Sequence, residues 1–222
     1  MTSSLPPLFA NLPDVFAAYY EPEAPWALLG RPLDEILARP GRIDADISAC
    51  AHVSGEGIVV GEGTRIHPTA VIEGPVFIGR NVEIRPGAYV RGGSWIGDHA
   101  VVGTNTEIKR GILLPHAKAP HLNYVGDSIL GAQVNLGAGT ILSNFRHDKS
   151  SIRVGTIDTG RRKLGAILGD GVLTGCNSVL HPGSVVGRET HIYPGVQLRP
   201  GAYPERSIVK LRQEIDVVPR AT

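Results

Sequence analysis

The chain has 222 residues, and its 28 Gly and 17 Pro make backbone specialists of roughly one residue in five, where an average protein has about one in eight. A hydrophobic share of 42% is enough for a core, so these residues read as recurring corners in an ordered fold rather than as disorder. With 22 Lys and Arg against 21 Asp and Glu there is no global basic field to gather nucleic acid or an anionic membrane, and no apolar run has the length of a membrane span. Two cysteines, Cys50 and Cys176, are too few for a disulfide framework, and no charged-then-apolar leader opens the chain. The expectation is a soluble, cytoplasmic protein with neither nucleic acid nor membrane as partner.

Residues 12–20 and 32–38 read as short helices, with Asp14 and Asp34 near their starts and Pro40-Gly41 closing the second. Residues 1–42 are therefore expected to form a helical N-terminal appendage. Beyond them one aliphatic column recurs every six residues: Val60, Ile66, Ile72, Ile78, Ile84, Val90, Ile96, Val102, Ile108 and Leu114. Two residues before each stands a second column, Ile58, Thr64, Ala70, Val76, Val82, Ala88, Ser94, Ala100, Thr106 and Ile112, mostly small or β-branched. A helix with 3.6 residues per turn would smear such a repeat around its surface, whereas short strands with a corner every six residues keep each column inward. The repeat specifies an all-β solenoid whose coils are triangular, three hexads to a coil, with Gly, Asn or Asp at the bends.

The column resumes as Tyr124, Leu130, Leu136 and Leu142, and again as Leu168, Thr174, Leu180, Val186, Ile192 and Leu198. The steps from Leu114 to Tyr124 and from Leu142 to Leu168 are ten and twenty-six residues, neither a multiple of six. Loops at about 115–123 and 143–167 are therefore expected to leave a solenoid domain spanning 43–202, and such loops are where function tends to sit. Residues 203–222, charged and apolar in alternation over 207–218, are expected to cap the open end, which would otherwise expose strand edges and core.

The hexapeptide pattern resembles the left-handed parallel β-helix acyltransferases over about residues 43–200. Three runs carry a closer likeness: Glu107-Ile108-Lys109, His121-Leu122-Asn123-Tyr124-Val125-Gly126-Asp127 and Asn135-Leu136-Gly137-Ala138-Gly139-Thr140. This constellation is similar to the acetyltransferase domain of the bifunctional glucosamine-1-phosphate acetyltransferase/uridyltransferases. The run from Ile157 to Asp170, with Arg161-Arg162-Lys163 inside it, resembles the C-terminal domains of bifunctional sugar-1-phosphate nucleotidylyltransferases. Those enzymes also carry an N-terminal nucleotidyl-transfer domain, and uridylyl transfer is not expected of this sequence. The resemblance implies N-acetyl transfer from acetyl-CoA to an amino-sugar phosphate of the glucosamine-1-phosphate or galactosamine-1-phosphate type. It also implies no metal requirement and a homotrimer with active sites between subunits.

Amine acylation needs a base, a task that histidine, which ordinarily titrates near neutrality, performs well, and by resemblance His121 is that base. Lys109 follows an inward Ile at a corner, points outward, and matches a lysine that binds the substrate phosphate, for which an ammonium is a suitable point charge. Glu107 is expected to orient the histidine or to contact the amine. A second phosphate-binding cation is expected one coil upstream, where spacing nominates Arg91, eighteen residues before Lys109, and a local Ile-Arg-Pro-Gly match nominates Arg85. The geometry of one coil favours Arg91. Tyr124 and Asn135 match sugar-binding positions, a phenol and an amide suited to hydroxyls.

For the acyl donor the resemblance nominates Ala138, Asn144, Phe145 and Cys176. Cys176 stands where the family often has serine, and Phe145 replaces a typical tyrosine. Arg161, Arg162 and Lys163 form a dense basic cluster suited either to the phosphates of the coenzyme or to a solvated loop face. Two other readings compete. One is a metal enzyme like the γ-class carbonic anhydrases, for which His116 and His121 have a suitable spacing, although Arg80 stands where the third histidine belongs and His99 is a coil away. The other is a non-catalytic trimeric scaffold that binds a sugar nucleotide.

Overall fold

A side chain turned inward at every sixth residue requires three walls, and three walls are what the chain builds. The computed structural model describes residues 5–220. Short parallel strands stack into a prism whose first face has nine strands, from Arg42–Ile43 to Gly201–Tyr203. The third face has eight, from His52–Ser54 to Gln197–Leu198. The second face holds a five-stranded and a three-stranded sheet, joined where Asn135 bridges both Lys118 and Leu173.

Register explains the core. Ile58 pairs with Val76 and Val76 with Ser94, steps of eighteen residues, so each coil repeats the one before it and the aliphatic column becomes a continuous stack. Val60, Ile78, Ile96, Leu130, Leu168 and Val186 are all fully buried in it. Each such side chain contributes about 1.5–3 kcal/mol relative to leaving it in water. The small column sits at the crowded corners, and its hydroxyls satisfy backbone carbonyls there. Thr64 Oγ1 donates to Gly79 O at 2.7 Å, Ser128 Oγ to Gly126 O at 2.7 Å and Ser184 Oγ to His181 O at 2.8 Å. Asn81, Asn105 and Asn177 take the left-handed conformation that these bends demand.

Residues 115–123, expected as an excursion, stay on the prism. Lys118–His121 is a strand of the second face, paired with Val101–Thr104. The phase shift comes instead from two shortened corners. Trp95 pairs with Ile112, and Ile112 with Ile129, steps of seventeen rather than eighteen. One residue is dropped at Arg110-Gly111 and one at Asp127-Ser128, so the inward residues there are Leu113 and Val125, not Leu114 and Tyr124. Gly111, rather than Ile112, accordingly holds the small-residue place.

The chain leaves the prism after Ile141–Leu142 and returns at Ala166–Leu168. Within this loop Arg153–Val154 and Ile157–Asp158 form an antiparallel hairpin. Before the coils come α1 (Asp14–Ala17), a 3-10 helix (Pro25–Leu29) and α2 (Arg31–Leu37). They bury Phe16, Leu28, Leu29 and Leu33 against the outside of the first face, on Trp95, Ile112, Ile129, Ile167 and Val185. The loop's Ile152, Val154 and Leu164 join the same second core. At the other end Ile208–Val209 adds a strand to the second face. That strand is as far as the expected cap goes, for Leu211, Ile215 and Val217 lie exposed. Among the described residues no helix is long and apolar enough to cross a membrane.

Candidate functional site

On the third face inward and outward residues alternate, and the outward ones stack coil upon coil. Tyr89, Glu107 and Tyr124 form one row by direct pairing. Arg91 and Lys109 form the next, since Val90 pairs with Ile108 and Lys109 with Gly126. Five residues singled out from the sequence thus come together here: Arg91, Glu107, Lys109, Tyr124 and Asn144.

Their contacts differ from the expected ones. Arg91 Nη1 lies 3.0 Å from Glu107 Oε1, and its guanidinium lies over the Tyr89 ring at 5.6 Å from the centroid. Glu107 therefore holds Arg91 rather than the histidine. Lys109 Nζ lies 3.8 Å from Asp127 Oδ2, and Asp127 is almost wholly buried, at 5% side-chain exposure. Asp127 accepts a 2.5 Å hydrogen bond from Asn144 Nδ2, whose Oδ1 accepts one from the Tyr124 hydroxyl at 3.5 Å. This link exists because residue 126 is glycine: a Cβ there would meet the Tyr124 hydroxyl and Asn144 Nδ2, each at 2.7 Å.

Burial lowers the Lys109 ammonium from its ordinary value, Asp127 opposes the shift, and the neighbouring Lys163 ammonium adds to it. Burial, followed by the Glu107 and Asp127 carboxylates, raises the Tyr124 phenol, so its hydroxyl keeps the proton it donates to Asn144. The patch presents cations and a neutral phenol from a rigid wall, a combination suited to an anion bearing hydroxyls.

His121 stands at the edge between the second and third faces. Its backbone is fixed: the N–H donates to Asn123 Oδ1 at 3.1 Å, and its carbonyl accepts from Gly139 N at 3.1 Å. Among the described residues its imidazole makes no hydrogen bond or salt bridge, and the residue is exposed. Along the same edge Ala138 lies one coil on and Cys176 the next, as the bond from Asn177 N to Ala138 O at 2.8 Å shows. Coils stack about 4.8 Å apart, so the edge from His121 to Cys176 is about 10 Å long.

The nominated donor residues therefore separate: Ala138 and Cys176 share the His121 edge, Asn144 belongs to the Tyr124–Asp127 link, and Phe145 stands exposed on the excursion. Asn135 faces outward on the second face, apart from Lys109 and Tyr124. Arg85 is also on the second face, bound to Glu83 at 2.9 Å, whereas Arg91 is the arginine stacked one coil from Lys109. His116 stacks on His99, ring centroids 4.7 Å apart, at the opposite edge of the second face from His121. Within one chain His116 and His121 thus offer no joint ligand set, and no three of His, Cys, Asp and Glu gather among the described residues.

Two further residues enter the patch: Asp127, quoted within a motif but given no role, and Lys163, expected to meet the coenzyme's phosphates or solvent. The five-residue step from Val125 to Leu130, where the repeat has six, is the sequence signal that could have drawn attention to Asp127.

These coils and this patch define a class, the hexapeptide-repeat left-handed β-helix. Residues 57–92 and 75–110 each match the family model of bacterial transferase hexapeptide repeats. It is 38% identical over 177 residues to a bifunctional protein GlmU of Methanococcus maripaludis, a match covering 75% of this chain and 43% of that one. It is 43% identical over 98 residues to a bifunctional sugar-1-phosphate nucleotidylyltransferase/acetyltransferase of Sulfurisphaera tokodaii, covering 42% of this chain and 24% of the relative. The chain thus spans less than half the length of either curated relative. Among solved structures, the UDP-N-acetylglucosamine acyltransferase of Francisella novicida aligns over 70% of this chain and 61% of its own, with 15% identity and a TM-score of 0.35, a similarity on which no functional statement rests.

Proposed function

We propose that this chain is an acyltransferase that moves the acetyl group of acetyl-CoA to the amino group of a sugar bearing a phosphate. The observation that carries the reading is the juxtaposition of Arg91, Lys109 and Tyr124 on one face with an unencumbered His121 on the adjoining edge. Lys109 and Arg91 hold the phosphate, and Tyr124 and Asn135 meet sugar hydroxyls. His121 takes the proton that the amine loses as its nitrogen bonds to the thioester carbon. The carbon–sulfur bond then breaks, and the coenzyme thiolate leaves and is protonated. The donor lies along the edge of Ala138 and Cys176, with backbone N–H groups of the coils placed for the oxyanion.

Trimerisation belongs to the same proposal. The first face is covered by the N-terminal helices and the excursion, so neighbouring copies have the second and third faces to pack on. The His121 edge lies between those faces, and Asn135 reaches a site there from another copy's second face.

The test is acetyl-CoA-dependent thiol release with glucosamine-1-phosphate and galactosamine-1-phosphate, beside the His121→Ala variant. Turnover that falls about 10²–10⁴-fold in the variant supports the base. No release above hydrolysis with either sugar sinks the proposed acceptors.

A further inference from the structure

At the end of the prism farthest along the chain the last coil has a free strand edge on the third face. Among the described residues no strand pairs with Gln197–Leu198 on that side. Each earlier coil of this face donates to the next, Val179 N–H to Val196 O and His181 N–H to Leu198 O, both at 2.9 Å. One coil on, the matching donors are the N–H groups of Gln197 and Arg199, and no strand follows to accept from them. Such an edge is a template for another strand.

Residues 210–220 lie outside any strand and concentrate exposed apolar surface, with Ile215 78% exposed and Val217 87%. Register gives these side chains a destination. The last pairings on the first and second faces, Val186 with Tyr203 and Ile192 with Val209, step by seventeen. The same step carries Leu198 to Ile215 and Arg199 to Asp216. In that register Ile215 turns inward over Leu198, while Glu214 and Asp216 turn outward over Gln197 and Arg199. Among the described residues Arg199 makes no salt bridge, so Asp216 would supply its opposite charge. Arg212 falls over Gly195, at a left-handed bend of the kind that Arg110 and Arg206 already adopt. The segment starts along this path, since a Cβ on Gly195 would touch Leu211 at 3.9 Å. One residue opposes it. Gln213 takes the inward place that Val196 holds one coil earlier, and burying an amide there has a cost.

We propose that the free edge of the third face is the docking site of the chain's own residues 213–217, which add there as a further parallel strand. The carbonyls of Gln213 and Ile215 accept from the N–H groups of Gln197 and Arg199. Ile215 covers Leu198, and Asp216 pairs with Arg199. Three residues join the segment to the strand Ile208–Val209, so docking within one chain has the advantage of a high effective concentration. The docked strand closes the edge to other chains. Nothing in this inference rests on the acyl-transfer reading.

Hydrogen exchange of the full chain, read by mass spectrometry over peptides containing positions 197 and 199, tests the docking. Protection factors at these two amides are expected to be about 5-fold higher in the parent than in Ile215→Ser. Gln213→Thr, which places there the residue type buried at Thr64, Thr106 and Thr140, should raise them further. Asp216→Arg should lower them, and Asp216→Arg combined with Arg199→Asp should restore them, as a cross-strand ion pair requires. The substituted side chains are exposed or lie on the outer face, so the fold should survive, and an unchanged thermal midpoint of the prism checks this. Equal protection in the parent, Ile215→Ser and Gln213→Thr overturns the docking. Protection that rises with protein concentration gives the edge to a second copy and overturns docking within one chain.

Discussion

On the first face the outward residues of successive coils are Trp95, Ile112, Ile129, Ile167 and Val185, all buried beneath helices and hairpin. On the third face the same coils turn Tyr89, Glu107, Lys109 and Tyr124 outward, and the face stays open. The inward columns of the two faces are interchangeable aliphatics, so the repeat that builds the prism does not distinguish them. The outward column alone makes one wall a second core and leaves the other open, carrying the patch proposed to bind the acceptor. Substitutions on the two faces should therefore have different signatures.

The largest expected effect is on the covered face. Trp95 is stacked 5.2 Å from Phe77 and meets Phe16 edge-on at 5.1 Å, so Trp95→Ala removes an aromatic anchor and is expected to cost about 3–5 kcal/mol in urea unfolding. Tyr89→Ala, at the equivalent depth of the open face, is expected to cost less than about 1 kcal/mol. Equal losses would break the contrast.

Lys109→Ala, which leaves the buried Asp127 carboxylate without its cation, is expected to cost some stability, though less than Trp95→Ala, while raising KM for a phosphorylated acceptor about 10–100-fold, the size of a lost charge-assisted bond. The pH dependence carries a sign. Burial lowers the folded-state pKa of Lys109, so the cation is lost as pH rises through a value below the ordinary 10.5, and KM should climb there. Lys109→Arg, whose guanidinium stays charged, should flatten that rise; a KM that climbs identically in both would remove Lys109 from phosphate binding.

The smallest effect sharpens the choice between two arginines. Arg91→Ala should raise the same KM several-fold, whereas Arg85→Ala should leave it within about 2-fold. Arg85 acts on Glu83, whose carboxyl it holds below the usual range. The stability it lends is present at neutral pH and lost as pH falls through that lowered value, and for so exposed a pair it amounts to about 0.5 kcal/mol or less. A KM effect at Arg85 matching that at Arg91 would place the phosphate on the second face.

The sequence made the prism legible because period six admits one solution that keeps a column inward, and the stacking of Arg91 beneath Lys109 follows from coil length alone. It misled where the period slipped. Two corners each shortened by a single residue, at Arg110-Gly111 and Asp127-Ser128, shift the phase just as an excursion would. Leu114 and Tyr124, apolar and beside the true inward Leu113 and Val125, completed the false column. The apolar outward run of the first face was also visible as letters, but its meaning depends on what lies over it.

What the sequence by itself determined is the repeat, the coil, and the residues that alternate to the outside, since these are set by local periodicity and backbone sterics. What only the tertiary structure decided is which outward face is covered, that Glu107 is spent on Arg91, and that Asp127 joins Lys109 to Asn144 and Tyr124. Those contacts cross between coils and from the excursion. The folded packing of segments far apart in the chain settles them, through burial and charge that no local pattern encodes.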